Sequence, residues 1–122
     1  MRVIYVRFDV GKESVAVLPS AEVVFAGDEI VWEVSVIGGS IKRVELDFKH
    51  GQKPKFTLGG SKKEHHSENI RNKRARIRGV APKVKGSGHA RYKYTIRGFD
   101  GSDEEFIKLD PVIIIVPPEQ PE

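Results

Sequence analysis

The stretch AGDEIVWEVSVI, residues 26–37, places Ile30, Trp32, Val34 and Val36 on one side of an extended chain and Val31, Glu33 and Ser35 on the other. A repeat of two residues is the signature of a strand, because successive side chains of extended backbone point to opposite faces. Gly27-Asp28 opens the stretch as a turn dipeptide, and Gly38-Gly39-Ser40 closes it. The same alternation recurs on either side. Ile4, Val6, Phe8 and Val10 share a face near the N-terminus, and Val44, Leu46 and Phe48 share one after the glycine break. Ala75 and Ile77 face away from Arg74, Arg76 and Arg78, while Tyr92, Tyr94 and Ile96 face away from Arg91, Lys93, Thr95 and Arg97. Val112 to Val116 form a last apolar run, and Phe106 to Leu109 read as a short link before it.

Residues 50–70 break this rhythm with Gly51, Pro54, Gly59, Gly60 and the polar run from Ser61 to His66, and read as a long irregular insertion. About eight short strands, with turn signals between them and no helical period, predict an all-β protein, a sandwich or a barrel. The chain has 122 residues, 39% hydrophobic and 31% charged, which suits one domain over 1–117 followed by an extended or disordered tail, 118–122. There is no cysteine, which excludes disulfides, thiolate metal sites and a cysteine nucleophile. The chain opens directly into Arg2-Val3-Ile4-Tyr5 without a signal-like segment, so a cytoplasmic setting is expected. The longest apolar run is too short for a membrane span, so no membrane partner is expected.

The segment from Ala26 to Trp32 resembles the one that opens the third strand of many cupredoxins. Tyr92-Lys93-Tyr94-Thr95-Ile96 resembles the strand carrying their copper cysteine, and Asp110-Pro111 with Val112 to Val116 resembles their last strand. The resemblance, also to short bacterial cupredoxin-like proteins, implies a cupredoxin-like Greek-key β-sandwich of about eight strands. It implies no copper, because a blue-copper site needs two imidazoles and a thiolate. Ile96 stands where the thiolate belongs, and Gly98 to Gly101 supply no histidine after it.

No catalytic constellation is visible, so no enzyme activity and no cofactor are expected. His65 and His66, flanked by Glu64 and Glu68, are adjacent and so point apart on extended backbone, while His50 and His89 are distant in sequence. Charge is the better lead. Residues 1–40 carry net −3, residues 41–97 net +13 and residues 98–122 net −6. The candidate binding residues are Lys62, Lys63, Arg71, Lys73, Arg74, Arg76, Arg78, Arg91, Lys93 and Arg97. Guanidinium groups suit carboxylate and phosphate alike. The expected role is a copper-free interaction module that engages an acidic or mixed protein surface through this segment and residues 50–73. Nucleic acid is the alternative ligand, and self-association is a third possibility. The outward faces of the two arginine-rich strands carry no aromatic residue for base stacking. The topology that the cupredoxin resemblance implies pairs the Arg91 strand with the Arg43–Lys49 strand, which is expected to set Glu45 and Asp47 across from Arg91 and Lys93. The same implied topology sets the Arg74 strand beside the Trp32 strand, with Glu33 and Glu29 as the expected partners. The two basic stripes then lie on opposite sheets, whereas a direct hairpin between them makes one patch.

Overall fold

The computed structural model describes residues 1–19, 21–49, 51–52, 54–83, 90–101 and 105–116. Among them every regular element is a strand: β1 (Arg2–Asp9), β2 (Ser14–Leu18), β3 (Ala21–Phe25), β4 (Glu29–Ile37), β5 (Arg43–Phe48), β6 (Thr57–Leu58), β7 (Ser61–Lys62), β8 (His65–Asn69), β9 (Arg74–Val80), β10 (Ala90–Phe99), β11 (Glu105–Leu109) and β12 (Val112–Val116). They form two mixed sheets, ordered β2-β1-β4-β9-β6-β7 and β3-β12-β10-β5-β8. β11 joins the second sheet by pairing with Ile96 to Phe99 of β10, where β12 pairs with Ala90 to Lys93. At the junction the Thr95 hydroxyl donates to Asp110 Oδ1 at 2.6 Å.

The alternation read from the sequence decides which residues face inward. Ile4, Val6 and Phe8 of β1 and Ile30, Trp32, Val34 and Val36 of β4 meet Val44, Leu46, Phe48, Tyr92, Tyr94 and Ile96 of the second sheet in a single core. Trp32 is fully buried, and its indole N–H donates to the Tyr94 hydroxyl at 3.2 Å, joining the two sheets. Phe48 stacks on Tyr94 at 5.0 Å and on Phe56 at 4.4 Å, and Phe56 meets Tyr92 edge-on. The Tyr92 hydroxyl donates to the Pro54 carbonyl at 2.7 Å, pinning the segment before β6 to this cluster. Gly79 lets β6 close on β9, since a Cβ there would stand 2.9 Å from the Trp32 ring and 3.0 Å from the Thr57 carbonyl oxygen.

The structure differs from the sequence reading in two places, residues 50–70 and Phe106 to Leu109. Residues 50–70 are expected to be irregular, yet β6, β7 and β8 all lie there, giving twelve strands where about eight are expected. Two-residue strands carry too little alternation to be read, and β8 is a polar edge strand without an apolar face. Phe106 to Leu109, expected as a link, belong to β11. Gly27-Asp28 makes a crossover between sheets, because β3 pairs with β12 and β4 with β1. The 118–122 tail, His50 and His89 lie outside the described residues.

Two outcomes check this core. Trp32→Ala removes the largest buried side chain and is expected to cost about 3–5 kcal/mol in denaturant unfolding; an unchanged midpoint contradicts the packing. Burial holds the Tyr94 hydroxyl above the ordinary tyrosine range. The unfolded chain releases that proton near pH ~10 while the folded one keeps it, so this contribution is full below that pH and is lost above it. Stability followed from about pH 8 to about pH 11 is expected to fall less steeply in Tyr94→Phe than in the parent chain.

Candidate functional site

β9 pairs with β4 and β10 with β5, in different sheets, so the two basic stripes lie on opposite faces of the sandwich. The direct hairpin that would merge them does not form. Each sheet then treats its arginines differently.

On the second sheet Arg97 is the centre of an ion-pair network. Its Nη1 lies 2.9 Å from Asp47 and 3.6 Å from Glu45, and its Nε lies 3.0 Å from Glu105. Burial opposes its charge, but the hydrogen bond to Asp47 and the charges of Asp47, Glu105 and Glu45 outweigh that and hold it more firmly protonated than usual. The expected pairing of Glu45 and Asp47 with Arg91 and Lys93 is therefore corrected: Glu45 stands opposite Arg97 and Asp47 opposite Thr95. The cause is the short reach of β5, which covers only Tyr94 to Phe99 of β10. Beside Lys93 the chain supplies Gln52 instead, whose side chain bonds both the Lys93 N–H and its carbonyl. Arg91 and Lys93 stand exposed next to Ile114 and Val112 of β12.

On the first sheet Arg74, Arg76 and Arg78 point outward as expected. Arg76 Nε contacts Glu33 at 2.6 Å and Arg78 Nη1 contacts Glu29 at 3.3 Å, as the sequence reading anticipates. Arg74 lies opposite Ser35, and Ser35 lies opposite Arg7 on its other side. Adjacent strands are ~4.8 Å apart, so the Arg7 and Arg74 backbones stand about 10 Å apart across Ser35, within reach of one shared anion. Among the described residues Arg7, Lys73 and Arg74 enter no ion pair. They line an open trough of about 740 Å³ together with Tyr5, Ser35 and Ile37. Tyr5 is 59% exposed, and its row across the sheet continues to Leu18 on β2, 66% exposed.

Of the other predicted site residues, Lys62 lies exposed on β7, at the far edge of the same sheet, and Lys63 follows it. Arg71 pairs with Arg74 through the backbone in a tight turn, where Asn72 and Lys73 take left-handed φ values of 52° and 61°. The trough thus gathers Lys73, Arg74 and Arg76 from the predicted set and adds Arg7, Tyr5 and Ser35, which the sequence reading missed. The parity of β1 carried the signal, but the parallel pairing of β1 with β4 joins segments far apart in sequence.

The two described histidines, His65 and His66, each meet a carboxylate of their own. His65 Nε2 contacts Glu45 and His66 Nε2 contacts Glu68, each at 2.9 Å. Among the described residues no group of three or more His, Asp or Glu side chains is placed to hold a metal ion. Ile96 is fully buried in the core, and the only sulfur in the chain is that of Met1, 75% exposed. These residues do not fit a blue-copper centre.

No protein-family model matches the chain, and no curated protein does. Among solved structures, the McoA multicopper oxidase from the hyperthermophile Aquifex aeolicus aligns over 94% of this chain at 10% identity with a TM-score of 0.52. Its 2F4 variant aligns over the same share at 10% identity with a TM-score of 0.51. The chain spans 29% of the length of each oxidase. Likeness at this identity speaks for the fold, and the fold is a cupredoxin-like β-sandwich.

The contrast between the two faces is measurable as stability. Arg97→Ala strands three carboxylates and is expected to cost about 1–2 kcal/mol, whereas Arg7→Ala and Arg74→Ala are expected to stay within about 0.5 kcal/mol of the parent. Chemical denaturation of the three variants decides the point, and equal losses would show that the trough arginines serve the fold.

Proposed function

We propose that the chain is a non-catalytic, copper-free binding module that takes an acidic protein surface on the outer face of its first sheet. The observation that supports this reading is the pair of guanidiniums, Arg7 and Arg74, held across Ser35 with no carboxylate between them. Their neighbours Arg76 and Arg78 are matched to Glu33 and Glu29 on the same face. Glu33 also lines the trough but is engaged by Arg76, so the two like charges across Ser35 raise the local potential and favour an incoming carboxylate, above all a bidentate one. The surrounding surface is mixed. Glu33, Glu29 and Asp9 share this face with exposed Tyr5, Leu18, Ile37 and Val80. Such a surface suits a partner whose acidic groups are interspersed with apolar ones, and it repels a continuous run of phosphates. Lys62 and Lys63 extend the basic character along residues 50–73.

A second reading, single-stranded nucleic acid, draws support from Tyr5. It supplies an exposed aromatic ring beside Arg7 and Arg76, the combination that stacks bases over a phosphate track.

Fluorescence anisotropy with a labelled acidic peptide and with a labelled single-stranded RNA, each titrated across a salt series, separates the two. The peptide is expected to bind more tightly at physiological salt. Arg7→Glu with Arg74→Glu is expected to weaken it at least tenfold, while Arg91→Glu with Lys93→Glu leaves it unchanged. Tighter binding of RNA, with a salt slope of about four or more phosphates, transfers the site to nucleic acid. Equal sensitivity to both pairs of reversals overturns the assignment to this face.

A further inference from the structure

Each sheet of an open sandwich ends in two strands whose outer backbone groups are unpaired, and such edges recruit further strands unless something blocks them. Three of the four edges here carry a block. β7 is two residues long and includes Lys62. β8 is polar and charged, with His65 and Glu68. On β3 the Glu22 side chain accepts the backbone N–H of Val23, occupying a donor of its own edge. β2 differs. Its sequence, Ser14-Val15-Ala16-Val17-Leu18, has no charge and no proline. Among the described residues its backbone groups bond only to β1, and β11 packs against it without pairing.

We infer that β2 is a self-pairing edge, and that two copies of the chain join their first sheets through antiparallel β2 strands related by a two-fold axis at Ala16. The sequence is nearly its own reverse, which is what an isologous strand pair requires. With Ala16 opposite Ala16, Val15 of one copy faces Val17 of the other and Ser14 faces Leu18. The inward row is then valine against valine, continuing a core in which Val17 is already buried. On the outward side Leu18, 66% exposed, gains Ser14 of the second copy as a cross-strand neighbour. The small Ala16 leaves clearance at the axis, where Arg7 of each copy flanks the pair. A two-fold perpendicular to the sheet keeps both troughs on one side of a continuous surface of twelve strands. The inference is independent of what the troughs bind.

Because the chain has no cysteine, a single introduced thiol reports on the axis. In a pair centred on Ala16 the two Ala16 Cβ atoms lie about 5 Å apart, close to disulfide geometry, while the two Ser14 positions stand about four strand residues apart, roughly 13 Å. Under mild oxidation Ala16→Cys is expected to give a covalent dimer within the time in which Ser14→Cys stays monomeric. Ala16→Lys, an exposed position whose change spares the core, sets like charges at the axis and is expected to weaken association tenfold or more in sedimentation velocity, with thermal unfolding of the monomer unchanged. A parent chain that sediments as a monomer throughout the micromolar range overturns the inference. Equal cross-linking of the Ala16→Cys and Ser14→Cys chains overturns the register, and an Ala16→Lys chain that dimerises like the parent moves the contact away from β2.

Discussion

The hydrogen bond from the Trp32 indole to the Tyr94 hydroxyl, at the centre of a cluster of buried rings, is the constraint on which the rest of the molecule depends. It joins β4 of one sheet to β10 of the other. Both groups are buried, so each leaves the other unsatisfied if it is removed, and an unpaired polar atom in such a place costs more than the bond itself contributes. Holding Trp32 and Tyr94 inward fixes the parity of two long strands. The even-numbered residues of β4 and β10 from Ile30 and Tyr92 onward are then committed to the core, and the odd-numbered ones face outward, where Val31 and Thr95 are nonetheless buried. The surface of the protein is a consequence of that commitment.

Charge follows from the same geometry. The middle of the chain is strongly basic, yet the sandwich divides it. β10 carries Arg97 into a setting where Glu45, Asp47 and Glu105 surround it, and that arginine holds β5, β10 and β11 together. β9 carries Arg76 and Arg78 to Glu33 and Glu29, and leaves Arg74 beside a serine. β1, from the acidic N-terminal part of the sequence, returns Arg7 to the same serine from the other side. A chain that looks like one basic block thus divides its basic residues between two faces, with a small cationic trough on one and exposed Arg91 and Lys93 on the other.

Much of this was legible in the sequence, for a physical reason that also marks the limit. Alternation over five or more residues reports which side chains are buried, so the inward rows of β1, β4, β5, β9 and β10 could be read directly. The copper-carrying strand could be compared position by position with Tyr92 to Ile96. Lateral pairing is a different matter. That Glu33 and Glu29 meet Arg76 and Arg78 follows from the pairing of β9 with β4 and was anticipated. That Glu45 meets Arg97 and not Arg91 depends on where β5 starts along β10, and alternation repeats every two residues and cannot count longer offsets. Arg7 and Tyr5 were missed because their neighbours come from strands distant in sequence. The segment 50–70 hid its strands because Thr57-Leu58 and Ser61-Lys62 are too short for any period to show, and because the contact that orders it, Tyr92 to the Pro54 carbonyl, is again non-local.

The central claim is that the sandwich ties Arg76, Arg78 and Arg97 into internal ion pairs and keeps Arg7 and Arg74 available. Proton exchange at the arginine Nε–H groups, read by nitrogen–proton NMR, tests it most directly, because paired guanidiniums exchange slowly and open ones quickly. The account predicts slow exchange for Arg76 and Arg97 and fast exchange for Arg7 and Arg74, with the latter two slowed when an acidic peptide is added. Protected Arg7 and Arg74 in the free protein, or an open Arg97 that responds to the peptide in their place, would contradict it.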